Sequence, residues 1–316
     1  MITEVLKFIA SLACLCYGAN LLVRGSGQIA RAAGVSGMVV GLTVVSLATS
    51  APELFISVIA ALNGNVDLAI GNVVGSNIAN LGLVMALTAI VGKGLVFNKN
   101  VANRDCIVMV GATLLVFPLI WDLRLGRWEG GLLAILLFGY LFAVVWSANE
   151  DRRARNQPIS GKPTSTVEGK WWESLGIVAL GVVLLTGGSM LLRDSVTAIA
   201  IKLGVSELII ALTMVSVGTS LPELATSIMA VLKKDKGLAL GNIVGSNIFN
   251  LTLVLGITSI VAPISISSEV LYKQYPAMLA ITLLMVVLSR RRSQIRLKDG
   301  YYLAVAYIGI MGWILF

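Results

Sequence analysis

The chain has no histidine, only three cysteines among 316 residues, and only 13% charged residues. Without histidine there is no imidazole proton relay, no histidine-bound zinc and no Ser-His-Asp nucleophile. Cys14, Cys16 and Cys106 lie in or beside apolar runs without metal-site spacing, so they read as small packing residues. A soluble domain carries roughly 25% charged residues. Polar stretches are also scarce, and the only long one is Ser147–Lys170, SANEDRRARNQPISGKPTSTVEGK.

What is there in quantity is apolar sequence, at 57% of the chain. Runs of about 20 apolar residues fit helices crossing a hydrocarbon core of about 30 Å. Ten such spans are expected, at 5–23, 37–62, 67–92, 103–121, 128–147, 174–193, 207–231, 237–262, 270–289 and 300–316. Short alternating segments of a lipid-spanning β-barrel are absent from the sequence. The first run lacks a clear small-residue cleavage site and carries Glu4 and Lys7 ahead of it, so it reads as a retained span rather than a signal peptide.

The net charge of +8 does not indicate nucleic acid, because the basic residues sit between spans and at their ends. Their distribution reports topology instead. With the N-terminus outside, 18 of the 24 Lys and Arg residues fall on the cytoplasmic side. The expected organisation is an N-terminal five-helix half at 1–147, a cytoplasmic linker at 148–173 and a C-terminal five-helix half at 174–316. Five spans is an odd number, so the second half starts from the opposite side. The predicted fold is all-α, with ten transmembrane helices as two inverted five-helix repeats in a multi-pass cell-membrane protein.

Duplication is visible in the residues themselves. Gly41–Thr88 matches Ala211–Thr258 at a constant offset of 170, with about half the positions identical. The identities include Ser46, Thr49, Ser50, Pro52, Glu53, Asn72, Ser76, Asn77 and Asn80, all repeated in the second copy. Of the sixteen acidic residues, only Glu53 and Glu223 lie well inside a span. A carboxylate at a helix centre costs at least about 2.5 kcal/mol, so it marks a functional site unless a buried cation pairs with it. Neither repeat offers Lys or Arg near that depth.

Each glutamate follows a proline. Pro52 and Pro222 lack the N–H that would bond the carbonyls of Ala48 and Gly218, and freed carbonyls at membrane depth belong in a polar cavity. Ser46, Thr49, Ser50 and Glu53 fall near one helical face, and Ser216, Thr219, Ser220 and Glu223 repeat the arrangement. Asn72, Ser76 and Asn80 share a face of the next span, as do Asn242, Ser246 and Asn250. Any one Ser or Thr could simply bond its own backbone; the joint recurrence points to a site. Gly71 and Gly75, with Gly241 and Gly245, are expected to be close-packing faces. The donors are all oxygen, which suits Ca²⁺ or Na⁺ and disfavours zinc or copper. Two glutamates neutralise one Ca²⁺, or hold Na⁺ ions in turn, and that competition is the physical basis of exchange.

At these residues the chain resembles the cation/calcium antiporter superfamily, nearest its sodium/calcium exchanger branch. The motifs are ATSAPE (Ala48–Glu53) with GNVVGSNIAN (Gly71–Asn80), and GTSLPE (Gly218–Glu223) with GNIVGSNIFN (Gly241–Asn250). The resemblance implies an ion-binding core of spans 2, 3, 7 and 8, with spans 1 and 6 sliding across it. It implies ion ligands at Thr49, Ser50, Glu53, Ser76, Asn80, Thr219, Ser220, Glu223, Ser246 and Asn250. Ser46 and Ser216 stand where the family contributes a backbone carbonyl. Asn at both position 80 and position 250 argues against dependence on K⁺.

The function implied is Na⁺/Ca²⁺ antiport by alternating access, with protons able to compete at the glutamates. No enzyme activity, cofactor, nucleic acid or obligate protein partner is expected; the partners are Ca²⁺, Na⁺ and the bilayer. The alternatives are exchange of Ca²⁺ or another divalent cation for protons, a cation channel and an intramembrane enzyme. The enzyme lacks a GxGD-type motif and would leave the Ser and Asn residues unexplained.

Overall fold

The computed structural model describes residues 2–96, 99–155, 171–204, 217–290 and 294–315. Within them the chain forms ten main helical segments, one in each expected span. They are α1 (Ile2–Ala33), α2 (Gly37–Leu62), α3 (Val66–Val91), α4 (Lys99–Leu119), α5 (Arg127–Arg155), α6 (Trp171–Lys202), α7 (Leu221–Leu232), α8 (Lys236–Val261), α9 (Val270–Arg290) and α10 (Leu297–Leu315). Seven of these, all but α4, α7 and α10, are long and apolar enough to cross a membrane. The protein is a multi-pass helical membrane protein. Many of its large apolar side chains are exposed, as with Ile135, Phe138 and Phe142 on α5, while its buried set is rich in Ser, Thr and Asn. Such polar residues in membrane helices face the bundle interior.

The helix ends differ from the sequence-based expectation in one systematic way. α1 continues ten residues past 23 and α6 runs nine past 193, each stopping just before a glycine with positive φ, Gly34 (65°) and Gly204 (80°). The apolar run ends where lipid ends, but Arg24, Arg31 and Arg193 are good helix formers and prolong the helix into water. Only glycine meets the left-handed turn that terminates it without strain. For the same reason α5 extends to Arg155 and α6 begins at Trp171, so both intrude on the stretch expected as linker, 148–173.

Glycines set the closest approach in the bundle. A Cβ on Gly18 would lie 2.9 Å from the Gly181 carbonyl, and one on Gly181 would lie 2.8 Å from the Leu22 nitrogen. α1 and α6 therefore pack backbone to backbone. α2 and α8 do the same, since a Cβ on Gly41 would meet the Leu238 carbonyl at 2.5 Å. A Cβ on Gly241 would collide with the Met38 carbonyl, and one on Gly245 with the Ser46 hydroxyl. Gly71 is the repeat counterpart of Gly241, and the segment equivalent to the α2 stretch that Gly241 meets, 208–212, lies outside the described residues.

Two short antiparallel ribbons fix the connections. β1 (Leu95–Val96), just after α3, pairs with β4 (Gln294–Ile295), between α9 and α10. β2 (Arg124–Leu125), between α4 and α5, pairs with β3 (Ile264–Ser265), just after α8. The offset of 170 maps Leu95 onto Ser265 and Leu125 onto Ile295, so one ribbon is the repeat image of the other. Since β1 precedes α4 and β2 follows it, the carboxyl ends of α3 and α8 lie at opposite ends of α4.

A lysine closes the turn beside β1. The Lys236 ammonium, in the first turn of α8, donates to the carbonyls of Gly92 (2.9 Å) and Gly94 (2.7 Å). These oxygens follow the end of α3, where carbonyls lack helical partners and the dipole favours a cation. Replacing Lys236 by methionine keeps the stem and removes both bonds. It is expected to lower stability by about 2 kcal/mol, measurable as earlier thermal unfolding of the detergent-solubilised protein.

Candidate cation site

α2 and α7 are broken at the same repeat position. Ser50 (φ −83°, ψ 1°) separates Ser46–Thr49 from the helix Ala51–Leu62, and Ser220 (φ −81°, ψ 3°) precedes Leu221–Leu232. Pro52 and Pro222 sit at the start of the new helices, where a missing N–H does no harm. The sequence predicts carbonyls freed within a span by the prolines; the structure has a full helix start there. Glu53 and Glu223 consequently occupy first turns. Unpaired N–H groups and the helix dipole there favour negative charge.

The next helices clamp these starts from the side. Asn72 Nδ2 on α3 donates to the Glu53 main-chain carbonyl (3.1 Å) and to Ser57 Oγ (2.9 Å). Asn242 Nδ2 on α8 repeats this with the Glu223 carbonyl (3.4 Å) and Ser227 Oγ (3.0 Å). Ser57 and Ser227 are not among the residues expected from the sequence, although their identity in the two copies is a readable signal. Asn72 and Asn242 act on the glutamate backbone and so orient the carboxylate-bearing turn.

Contacts between the repeats join the two clamps. Thr49 Oγ1 donates to Asn242 Oδ1 (3.0 Å) and lies 3.2 Å from Ser246 Oγ. The symmetry-related pair, Ser76 Oγ and Thr219 Oγ1, lies 2.9 Å apart. The two carboxylates repel one another, and the Thr49 and Ser246 hydroxyls face that of Glu223. Four helices from both copies thus converge on one place.

Ser46 has a different occupation. Its hydroxyl reaches the carbonyls of Gly41 (2.6 Å), Asn242 (3.1 Å) and Gly241 (3.3 Å), at the α2–α8 crossing. Its counterpart Ser216 lies outside the described residues.

The remaining predicted donors are buried and unpaired. Glu53, Glu223, Asn80 and Asn250 are 0% exposed, and none of their side-chain oxygens or nitrogens has a hydrogen-bond partner among the described residues. The hydroxyls of Ser50 and Ser220 are also unpartnered, as is the whole amide of Asn77. Among the described residues, neither glutamate takes part in an ion pair. Each unsatisfied buried polar group costs about 1–3 kcal/mol, and charged groups cost more. Asn80 and Asn250 each open a π-helical turn, Asn80–Val84 and Asn250–Val254. Single π-turns inside α-helices recur at functional sites. Two carboxylates, two amides and several hydroxyls with free lone pairs match the all-oxygen shell of a hard cation.

A two-carboxylate oxygen site on interrupted helices, buried between two copies of one repeat, is the architecture of a secondary transporter. The protein is an antiporter and not an enzyme, as comparison with known proteins shows. The sodium/calcium exchanger protein family matches residues 3–146 and 173–316, and the chain belongs to that family. It is 36% identical over 320 residues to CaxA of Alkalimonas amylolytica, covering 98% of each chain. It is 29% identical over 339 residues to the sodium/calcium exchanger MaX1 of Methanosarcina acetivorans, covering 97% of each. Its fold superposes on the sodium-calcium exchanger NCX_Mj, soaked with Na⁺ and Ca²⁺, with a TM-score of 0.83. That match has 29% identity and covers 99% of this chain and 98% of the other.

Proposed function

We propose that this protein exchanges Na⁺ for Ca²⁺ across the cell membrane by alternating access. The observation that carries the reading is the pair Glu53 and Glu223, fully buried, unpaired by any protein cation among the described residues and beside unpartnered amides and hydroxyls. Two negative charges at membrane depth need an external cation, and one Ca²⁺ or successive Na⁺ ions can supply it. The two ions compete for the same carboxylates, so the site cannot hold full complements of both. The NCX_Mj neighbour, a sodium-calcium exchanger by name, supports this ion pair.

The ligands in this reading are Thr49, Ser50, Glu53, Ser76, Asn80, Thr219, Ser220, Glu223, Ser246 and Asn250. Ser46 contributes through the α2–α8 crossing, and its main-chain carbonyl, which accepts the Ser50 N–H at 2.9 Å, offers an ion its second lone pair. The ten helices form two inverted five-helix halves. The ribbons support inversion, since the carboxyl ends of the equivalent helices α3 and α8 lie at opposite ends of α4. Inverted halves give one site two equivalent routes of access, one to each side. The basic residues put the N-terminus outside and the linker in the cytoplasm.

The test is ⁴⁵Ca²⁺ uptake into Na⁺-loaded proteoliposomes. Uptake is expected to rise at least tenfold when the external medium is free of Na⁺, and to vanish when internal Na⁺ is replaced by choline. Uptake driven equally well by a pH gradient, with no response to Na⁺, would move the protein to the proton-coupled reading.

A further inference from the structure

The repeat symmetry near the site is broken at Arg193, whose counterpart is Val23. A narrow cleft is lined by Pro52 and Ile56 of α2, Ser189 and Arg193 of α6, and Gly218 and Thr219 ahead of α7. Pro52 adjoins Glu53 and Thr219 is one of the expected ligands, so the cleft reaches from the surface at Arg193 to the edge of the site. Its volume of ≈ 10 Å³ holds about one water. A cation entering along it would be largely stripped of solvent, and nearby charges would act on it strongly.

Arg193 stands at this passage. Its Cγ and Cδ lie 3.5 Å from the Cβ position of Gly218, which leaves room for the stem against the α7 turn. The side chain is 39% exposed, and its Nε and Nη2 both donate to Asp194 Oδ1 at 3.3 Å. Asp194 is more exposed, at 66%, and only partly offsets the guanidinium. At the symmetry-related positions the first repeat has Val23 and Arg24. Val23 is buried and neutral, and Arg24, the counterpart of Asp194, is exposed. The two related approaches therefore differ in where the guanidinium stands: Arg193 lines the cleft beside Pro52 and Thr219, whereas Arg24 lines a separate cavity together with Val44 and the acidic Glu173.

We propose that Arg193 is a valence-selective gate on its face of the membrane. The proposal rests on the Na⁺/Ca²⁺ exchange reading. A fixed positive charge raises the energy of a cation bound nearby in proportion to that ion's charge. Whatever factor it imposes on Na⁺ affinity, it imposes the square of that factor on Ca²⁺. Arg193 thus favours Na⁺ binding and Ca²⁺ release on its side, and Asp194 sets how strongly. With the N-terminus outside, that side is extracellular, and the bias serves Ca²⁺ export.

The experiment is ⁴⁵Ca²⁺/Ca²⁺ exchange in right-side-out and everted membrane vesicles, with Na⁺ as competitor. For Arg193→Gln, the Ca²⁺ KM on the Arg193 face is expected to fall about tenfold, and the half-inhibiting Na⁺ concentration about threefold. The opposite face is expected to stay unchanged. Arg193→Lys is expected to behave like the parent, and Asp194→Asn to raise the Ca²⁺ KM on the same face. Molar salt is expected to shrink these differences. Equal factors for the two ions, equal shifts on both faces, or a lysine variant that behaves like glutamine would overturn the proposal. Ca²⁺/Ca²⁺ exchange needs no Na⁺ gradient, so a parent protein insensitive to Na⁺ would defeat the exchange reading while the Ca²⁺ data still judged Arg193.

Discussion

Glu223→Gln is expected to lower Ca²⁺ uptake by at least about a hundredfold, and Glu53→Gln by a similar factor. Each substitution keeps the shape and removes one of the two charges that balance Ca²⁺. Removing one member of a buried charge pair costs about 3–5 kcal/mol, and about 1.4 kcal/mol is tenfold in affinity. The loss falls on ion binding and not on folding. In the ion-free protein the two carboxylates repel one another, and both are fully buried without partners. The glutamine variants are therefore expected to unfold at the same or a higher temperature than the parent without Ca²⁺, and to lose the stabilisation that Ca²⁺ confers. A thermal-shift titration with and without Ca²⁺ measures both. A variant that unfolds early would mean that the glutamates hold the fold together. One that transports normally would remove them from the site.

The second large effect is mechanical. Gly241→Ala adds one methyl group at the α2–α8 crossing. It would collide with the Met38 carbonyl and lie 2.9 Å from the Leu42 nitrogen. Both obstacles are backbone, so no rotamer change relieves them. Overpacking of this kind costs about 1–3 kcal/mol, and the relief available is to push α2 away from α8. That separation would break the Thr49–Asn242 and Thr49–Ser246 contacts and free the Ser46 hydroxyl from Gly241 and Asn242. Uptake is expected to be nearly abolished and the protein yield reduced. Gly139→Ala, on the exposed face of α5, adds the same methyl group away from any helix crossing and is expected to leave uptake nearly unchanged. Comparing the two variants in uptake and in thermal unfolding separates crossing geometry from a general effect of alanine for glycine in a membrane helix.

Much of the site is legible in the amino-acid sequence, for a specific reason. Lipid makes polar side chains expensive, so Glu53, Asn80 and their repeats are conspicuous where they stand. The use made of each group is not legible there. Ser46 and Thr49 look alike on one helical face, yet Ser46 binds three carbonyls at a helix crossing while Thr49 reaches across to Asn242 and Ser246. Ser57 resembles any serine that bonds its own helix, and instead receives the Asn72 amide. The prolines announce a disturbance, but helix periodicity cannot distinguish a kink from a new helix start at Ser50 and Ser220.

The sequence by itself determined the membrane setting, the duplication and the two carboxylates. Each rests on composition or on spacing along a single helix, and a bilayer makes both legible. The tertiary structure alone decided which copies touch. Thr49 meets Ser246 and Ser76 meets Thr219 across sequence distances of 197 and 143 residues, and no local pattern encodes such pairings. The same holds for Arg193, whose repeat counterpart is the neutral Val23. Arg193 reads in sequence as an ordinary basic residue at a helix end, and becomes distinctive only where α2, α6 and the turn before α7 line a cleft beside it.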